Sequence, residues 1–418
     1  MHIPYIQGGL AMRKKCIKRI VVVMALVFAT MTTSCKPMNV EKVDSYKFVK
    51  LIEKWKEIPP NEIEKIVFEE VSESFKIDAK ISISEELEEY RVPTLKLHRM
   101  LFDDKERTLK YLLDICEWNE ELLDDTERWI TDDKLENGQN ESAIQVQQGR
   151  EENEIRVVQI RDRNILILDE LSNKYAESEW MLTANHDPSV YSERKNLNYI
   201  SINKDLDFMT AELAEKYVKD VFRDLGIESE LETVVYSLSV GDLKKVADIQ
   251  QAYYDEIGWT GSIVEQNISK EDEAYYIVLY QSNNKIPLVP FSMSNQVTNS
   301  YHTGSQNSVL FSANGIQSMN ISNVYNMEDT GEVNTILTLG DVLEMHYERY
   351  GSILTRKEVV KEIKLYYLPV CTNKDNLEFT ARPVWYIQSD ITTETAYGDE
   401  IMGQGVIYDA VTGEELAW

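Results

Sequence analysis

The chain has 418 residues, and its 72 Asp and Glu residues outnumber 44 Lys and Arg residues, for a formal net charge of −28 at pH 7. A surface of that sign repels phosphate groups, so we exclude nucleic-acid binding. Apolar residues make up 43% of the chain. That content is sufficient for packed cores and excludes a disordered stalk.

The first 35 residues predict an export signal. Basic residues at positions 13–19 precede an apolar run from Ile20 to Met31, which is the order that a secretory signal requires. The run is shorter than the ~20 residues of a membrane-spanning helix, because Thr and Ser occupy positions 32–34. We expect Met12 to be the true start, since the codons for residues 7–9 suit a ribosome-binding site.

The end of this leader resembles a bacterial lipoprotein signal, in which a small residue precedes a cysteine that receives a diacylglyceryl group. Ser34 and Cys35 fit that pattern. The resemblance implies lipidation of Cys35 and attachment to the outer face of the cell membrane, because two acyl chains anchor a protein stably. The alternative is an ordinary signal peptide that contains Cys35 by chance.

Removal of the leader changes the charge and the cysteine count. The 44 basic residues fall to 39 because five lie in the leader, while all 72 acidic residues remain. Cys116 and Cys371 are then the two cysteines left besides Cys35. An exported protein can form a disulfide, but spacing alone does not establish one. Apolar neighbours favour two separate buried thiols, and the pairing stays open.

Hydrophobic periodicity and turn residues predict the elements in chain order. The predicted helices cover 46–58, 107–118, 210–225, 243–254 and 340–350. The predicted strands cover 77–83, 90–97, 155–168 (two strands), 233–240, 274–280, 309–311, 318–325, 358–368, 379–387 and 405–409. The polar, Gln/Asn-rich segment 135–153 is predicted to be a long loop or an excursion between strands.

A helix followed by strands occurs twice, from Thr210 and again from Gly340. This order predicts an α+β fold of repeated helix-plus-antiparallel-sheet units in two or three subdomains. After the signal peptide, 1–35, we predict three parts. They are an N-terminal α+β region at 36–150, a central α+β unit at 151–338 and a C-terminal unit at 339–418.

Three motifs in the C-terminal unit resemble a PepSY-type module: LGDV at 339–342, RPVW at 382–385 and VIYDAVTGE at 406–414. Ala313 to Ile316 is similar to a strand of the YycH/YycI-type extracytoplasmic regulators. The whole layout resembles an uncharacterised family of Gram-positive lipoproteins. The resemblance implies one helix against an antiparallel sheet in the C-terminal region, a role in binding an envelope protein or modulating a peptidase, and no catalytic residues.

The histidines and cysteines show no catalytic or metal-binding spacing. His98, His186, His302 and His346 lack the HExxH pattern, and no CxxC or GxSxG motif is present. We therefore predict no catalytic residue, metal or cofactor. His346 and Glu348 are interpreted as a partly exposed pair on a helix.

One stretch, 286–327, contains no charged residue. It is a candidate contact surface for an envelope protein, a peptide or a glycan, and the residues proposed for contact are Phe291, Tyr301, His302 and Tyr325. The alternative is a neutral strand pair with a loop.

The sequence thus predicts a non-catalytic, lipid-anchored extracytoplasmic protein with a binding or regulatory role. Two alternatives stay open. A solute-binding lipoprotein would have a cleft lined by aromatic residues, and a surface hydrolase would use scattered Asp and Glu residues.

The anchor is tested by substituting Cys35→Ser. We expect the intact protein to sediment with membranes and the variant to appear in the soluble fraction after fractionation, because the variant has no thiol to lipidate. Cys16→Ser in the leader is the matched control and should behave like the unaltered protein. A Cys35→Ser protein that still sediments with membranes would refute lipid anchoring.

Overall fold

The structure is a computed structural model that describes residues 45–418. The description leaves out residues 73, 117–126, 135–139, 149–155, 170–174, 176–181, 183–199, 257, 259–266, 291–292, 296–299, 303, 352, 354–355, 374–376, 396–397 and 417–418. The predicted signal peptide and Cys35 therefore lie outside the described residues. Residues 47–418 form one compact unit.

The fold is mostly β, of the sandwich or half-barrel type, and the described residues form two ten-stranded sheets. Sheet A consists of β1 (Lys65–Ser72), β2 (Phe75–Ser82), β3 (Arg91–Arg99), β12 (Met293–Asn295), β13 (Ser300–His302), β16 (Tyr325–Thr335), β17 (Arg356–Cys371), β18 (Glu378–Thr395), β19 (Gly398–Asp409) and β20 (Glu415–Leu416). Sheet B consists of β4 (Glu127–Lys134), β5 (Asn140–Gln148), β6 (Arg156–Arg161), β7 (Asn164–Asp169), β8 (Ser201–Ile202), β9 (Glu230–Leu238), β10 (Ala274–Asn283), β11 (Ile286–Pro287), β14 (Gln306–Ser312) and β15 (Gly315–Ser322).

Five α-helices of the described chain pack on these sheets. They are α1 (Ser45–Glu57), α2 (Lys105–Ile115), α3 (Ala211–Asp224), α4 (Val240–Glu256) and α5 (Leu339–Tyr350). Residues of α1 and α5 share a core with sheet A. Residues of α2 and α3 share a core with sheet B, and α4 contributes to a separate core on that sheet. Thr210 caps the N-terminus of α3, because its hydroxyl accepts a hydrogen bond from the amide of Leu213.

Sheet order follows neither the sequence nor the predicted units. Sheet A runs β1-β2-β17-β18-β19-β20, with β3 joining β16 to β18 and β13 joining β12 to β17. Its strands pair antiparallel except β2 and β17, which are parallel. Sheet B runs β4-β5-β6-β7-β15-β14-β10-β9-β8, with β11 on β10. Both sheets therefore combine strands from distant parts of the chain.

The predicted α+β fold of repeated helix-plus-sheet units is wrong. The order of helix then strands is present in the sequence from both Thr210 and Gly340, but those strands do not form self-contained sheets. β17 pairs with β2, and β18 pairs with β3. Periodicity identifies a strand, whereas its partner depends on tertiary contacts that periodicity does not encode. The predicted boundaries at 150 and 338 stay a prediction.

The predicted long loop at 135–153 is also wrong, because it contains β5. This strand pairs with β4 and β6. Ala143, Ile144 and Val146 are buried, and the polar residues around them concealed this short apolar pattern. A strand with few apolar residues still forms when its neighbours on both sides supply hydrogen bonds.

A polar joint connects the two sheets at Gln281. This side chain is fully buried, and its amide nitrogen donates to the Ser229 hydroxyl at 2.7 Å and to the Tyr325 carbonyl at 2.7 Å. Its carbonyl oxygen accepts from the Tyr325 amide at 2.8 Å and from the Ser305 hydroxyl at 3.4 Å. Gln281 belongs to sheet B and Tyr325 begins β16 of sheet A, so this amide links the two sheets.

This joint accounts for much of the uncharged stretch 286–327. Ser305 and Asn307 are buried, and the Asn307 side chain bonds the Ser305 hydroxyl at 3.2 Å and the Ser322 amide at 3.2 Å. Burying an unpaired charge costs several kcal/mol, whereas neutral amides and hydroxyls can be satisfied locally. The neutral strand pair that the sequence offered as an alternative is β14 and β15.

Helices α1 and α5 approach closely at Gly340. A Cβ atom there would lie 2.6 Å from the Ile52 carbonyl oxygen and 2.9 Å from the Lys56 amide nitrogen. Both contacts are to backbone, which cannot rotate away. Gly340 is therefore required for the packing of the two helices.

Gly340→Ala should lower the free energy of unfolding by about 1–3 kcal/mol, because overpacking forces the backbones apart. Gly241→Ala in α4 is the matched control. A Cβ there meets nothing closer than 3.7 Å, so the control should be neutral or stabilise by about 0.5 kcal/mol. Urea unfolding monitored by circular dichroism measures both, and equal stabilities for the two variants would contradict this account of the helix contact.

Candidate functional site: a buried histidine network and a cleft between the sheets

His346 lies at the centre of a buried polar network between α5 and sheet A. Its side chain is 0% exposed, and its Nε2 lies 2.7 Å from Glu358 Oε1. Its Nδ1 lies 2.9 Å from the hydroxyl oxygen of Tyr408. Arg356 donates to the other carboxylate oxygen of Glu358 at 2.6 Å and to Gln404 at 2.9 Å. The interpretation of His346 as a partly exposed residue is therefore wrong.

The electrostatics of the network favour an ionised Glu358. Burial alone raises its pKa, but the hydrogen bond and charge of His346, with further help from Arg356, lower that pKa to about 2. An ionised carboxylate makes His346 Nε2 a hydrogen-bond donor. Burial raises the pKa of the Tyr408 phenol, so Tyr408 stays protonated and donates to Nδ1 when the imidazole is neutral.

A tyrosine, a histidine and a carboxylate in a row have the appearance of a catalytic relay. A catalytic group must reach its substrate, however, and Glu358, His346 and Tyr408 are all at most 2% exposed. The network therefore holds α5 on the sheet instead of acting on a substrate. His346, Glu358 and Tyr408 pair their polar atoms with each other or with Arg356, as buried groups must do to avoid a large penalty.

The residues of the three C-terminal motifs also have structural roles around α5. Thr338 and Asp341 form a capping box at the start of the helix, and Asp341 binds Lys56 of α1 at 3.0 Å. The Trp385 indole donates to the Leu337 carbonyl at 3.1 Å.

The last of these motifs forms the turn after β19. Asp409 accepts hydrogen bonds from the amides of Val411 and Thr412 at 2.9 and 2.8 Å. The amide of Gly413, which has a φ of +74°, bonds the Asp409 carbonyl. This turn is an architectural element.

A cleft of about 440 Å³ lies between the two sheets. Strands β2 and β17 form the sheet A wall, which contributes Lys80, Ser82, Glu362, Lys364 and Tyr366. Strands β9 and β10 form the sheet B wall, which contributes Glu232, Thr233, Val234 and Tyr280. Alternation along each strand places these side chains, since residues two apart share a face.

The sheet A wall carries a lysine held in position by its neighbours. Lys364 Nζ lies 3.0 Å from Glu362 Oε2, and the lysine side chain is 28% exposed. Burial alone would lower the pKa of Lys364, but the Tyr366 phenol and the Glu362 carboxylate raise it above its usual value. The ammonium is therefore charged.

The sheet B wall carries a carboxyl group, that of Glu232, whose charged form is disfavoured by its surroundings. Burial raises the pKa of Glu232, and the neighbouring charge of Glu230 raises it further. The described chain places no cationic group within ion-pair distance of Glu232. Beside it, burial raises the pKa of Tyr280 well above its usual value, so the phenol presents a neutral hydroxyl.

The rim of the cleft is a tight turn between β10 and β11. Asn284 and Lys285 have φ values of +50° and +55°, which is the conformation of a two-residue hairpin turn. The Ser84 hydroxyl donates to the Asn284 carbonyl at 2.7 Å, and Lys285 pairs with Glu86 at 3.5 Å. These contacts tie the segment after β2 to the turn.

The aromatic residues predicted as a contact surface are in different situations. Tyr325 is 1% exposed and stacks edge-on with Phe379, so its ring belongs to the core. Tyr301 and His302 belong to β13, where His302 pairs with Val370 of β17. Phe291 lies outside the described residues. A contact surface built on this stretch stays a prediction.

Cys116 and Cys371 are both thiols, so they do not form a disulfide with each other. Cys116 is buried, and Cys371 is half-buried with its Sγ 2.9 Å from the Asn373 carbonyl oxygen.

The residues of the cleft carry no distinctive signal in the sequence. Glu362, Lys364 and Tyr366 alternate with the apolar residues of β17, so the pattern marked one polar face of a strand. Glu232 precedes the predicted strand 233–240 and carried no distinguishing signal. Only the pairing of distant strands brings them to one place.

Comparison with known proteins gives the fold and nothing further. No family model matches the chain, and no curated protein matches its sequence. An uncharacterized protein from Eubacterium rectale ATCC 33656, whose crystal structure has been determined at 1.45 Å resolution, is similar with a TM-score of 0.64 at 18% identity. The match covers 89% of this chain and 99% of that one.

Within the part of the chain that the structure describes, no helix has both the length and the apolar character needed to cross a bilayer. The same residues contain no cluster of three or more His, Cys, Asp or Glu side chains able to hold a metal ion.

The His346 network should make stability depend on pH through Glu358. The ordinary pKa of a glutamate here is 4.5 and the folded value is about 2. The contribution of the ionised Glu358 carboxylate is therefore fully present above about pH 4.5 and is lost as the pH falls toward 2. Glu358→Gln should lower the free energy of unfolding by about 3 kcal/mol at pH 7. The difference from the unaltered protein should shrink below pH 4.5.

Urea unfolding at several pH values between 7 and 2.5 measures this difference. Glu348→Gln, an exposed change on the same helix, is the matched control and should leave stability within about 0.5 kcal/mol. A Glu358→Gln penalty that stays constant with pH would contradict the assignment.

Proposed function

We infer that the protein is a lipid-anchored, extracytoplasmic binding protein that holds a small polar ligand in the cleft between its sheets and performs no reaction on it. The predicted leader and Cys35 support the location. The negative charge of the folded part also supports this location. Repulsion from anionic lipid headgroups holds the folded part away from the membrane surface, while the acyl chains keep it attached.

The cleft is the observation that carries the binding role. Its volume of about 440 Å³ falls within the ~300–1,000 Å³ of small-molecule sites. Its walls hold partly buried ionic groups of both signs and two tyrosines. Partly burying a charge is unfavourable. Titratable groups in a cleft whose pKa values are shifted by burial and by neighbouring charges are therefore candidates for ligand contact.

The alternatives from the sequence receive less support. A hydrolase needs an acid, base or nucleophile that a substrate can reach. In the described chain, the one arrangement that resembles a catalytic relay, around His346, is closed to solvent. A contact surface for an envelope protein would have used the ring of Tyr325, which is buried. The solute-binding alternative is the one that the aromatic-lined cleft favours.

A substitution that fills the cleft tests the proposal. Ser82 lies half-buried in its wall, and Ser82→Trp should occupy the space where a ligand would lie. We expect a ligand found by thermal-shift screening of small polar metabolites to bind this variant at least tenfold more weakly in calorimetry. The matched control is Asn320→Trp at an exposed position of β15, which should bind as the unaltered protein does.

Equal binding by the unaltered and Ser82→Trp proteins would place the ligand elsewhere and refute the role of the cleft. A screen without any binding ligand would refute the binding function itself. Circular dichroism of both tryptophan variants checks that each is folded.

A further inference from the structure

The lining of the cleft carries no net charge, although the chain as a whole has a formal net charge of −28. Lysines and glutamates lie in the lining in equal number: Lys80, Lys285, Lys364, Glu85, Glu232 and Glu362. A ligand with a net charge of either sign would meet as many repelling groups as attracting ones. The composition of the lining therefore favours a ligand without net charge.

Several of these charges already have partners in the protein. Lys364 Nζ lies 3.0 Å from Glu362 Oε2, and Lys285 Nζ lies 3.5 Å from Glu86 Oε1. Burial raises the pKa of Glu232, and Lys285 is one of two lysines whose charges oppose that rise. A charged group of a ligand would compete with these partners and would also lose its own hydration.

A hydroxyl group can bond the ion pair of Glu362 and Lys364 without separating it. The two side chains are 21% and 28% exposed, so small polar molecules can reach them. A carboxylate only accepts hydrogen bonds and an ammonium only donates them, whereas a hydroxyl does both. A ligand with several hydroxyls can therefore bond both members of the pair at once. Ser82 on the adjacent strand β2 adds a hydroxyl to the same wall.

Two tyrosines contribute to the walls, Tyr280 from sheet B and Tyr366 from sheet A. Tyr280 is half-buried and Tyr366 is buried. Burial raises the pKa of both phenols, so both side chains are neutral. The face of an aromatic ring is apolar and carries the negative part of its quadrupole, and the C–H groups on the face of a sugar ring complement it.

We propose that the ligand is a neutral saccharide, whose hydroxyls bond the Glu362–Lys364 pair and whose C–H face packs on Tyr280. This inference rests on the proposed function. A saccharide combines many hydroxyls with apolar C–H faces, and the cleft offers ion pairs and aromatic rings for these two parts. The acidity of the rest of the chain does not oppose such a ligand, because a neutral molecule is not repelled by a net charge.

The test is calorimetry with the full mature chain, and it compares neutral sugars with charged forms of the same skeleton. The panel contains glucose, galactose, mannose and N-acetylglucosamine, the corresponding uronic acids and free amino sugars, and short oligomers of the neutral sugars. We expect a neutral sugar to bind, and we expect its uronic acid and its amino sugar to bind at least tenfold more weakly. Comparing monomers with oligomers distinguishes a free sugar from the end of a glycan.

Substitutions of Tyr280 test the aromatic contact. Tyr280→Ala should weaken binding of the neutral sugar at least tenfold, whereas Tyr280→Phe should weaken it less than threefold, because phenylalanine keeps the ring. Tyr111→Ala removes another half-buried tyrosine, one that lies outside the lining. This matched control should leave the affinity within twofold. Equal affinities of the Tyr280→Ala and Tyr111→Ala proteins would overturn the assignment of Tyr280.

Two further variants test the balance of charge. Glu362→Gln gives the lining a net positive charge and should shift the preference toward the uronic acid at least fivefold. Lys364→Gln gives it a net negative charge and should shift the preference toward the amino sugar as much. Lys361→Gln, at an exposed position outside the lining, should shift neither. Preferences that stay the same in both lining variants would overturn the argument from charge.

The outcomes separate this inference from the proposed function. A charged metabolite that binds more tightly than every neutral sugar, and whose binding Ser82→Trp abolishes, would overturn the saccharide and keep the binding function. Sugar binding that Ser82→Trp leaves unchanged would overturn the role of the cleft and this inference together. No binding by any sugar or by any metabolite of the screen would overturn both.

Discussion

The amide side chain of Gln281 makes four hydrogen bonds to partners on both sides of the junction between the sheets, and the architecture depends on them. A buried amide with every donor and acceptor paired fixes geometry, because any displacement leaves polar atoms unsatisfied. A second link lies next to it, where Leu288 bonds Gln281 and Val289 bonds Tyr367 through their backbones. The apolar core of sheet A also includes Ile286 of β11 and Leu288, so apolar and polar contacts together define how the sheets meet.

The cleft follows from this arrangement. Strands β9 and β10 line it on one side, and β2 and β17 line it on the other, so their polar side chains face a common space. The two polar regions of the molecule then differ in kind. Around His346, the side chains of His346, Glu358 and Tyr408 bond each other and are at most 2% exposed, which serves packing. In the cleft, Glu232 and Lys364 are partly exposed side chains of the lining, where we propose that a ligand binds.

Local features were predictable from the sequence, and long-range features were not. Residues close in sequence determine the apolar face of α3, its cap at Thr210 and the turn at Asn314 and Gly315. The structure contains all three features. The pairing of β17 with β2 depends on contacts between the two ends of the chain, so the fold class was wrong. His346 looked exposed because its carboxylate partner, Glu358, lies on the following strand, outside the helical spacing. The cleft could not be found for the same reason, since each wall contributes few residues.

Substituting Gln281→Met tests most directly whether one amide unites the sheets, because methionine keeps the size and removes the four bonds. Hydrogen exchange measured by mass spectrometry across a urea series follows both sheets at once. The account predicts that the variant loses at least ~3 kcal/mol, since several buried polar groups lose their partners. It also predicts that sheets A and B exchange in separate transitions. A single transition at the midpoint of the unaltered protein would contradict it.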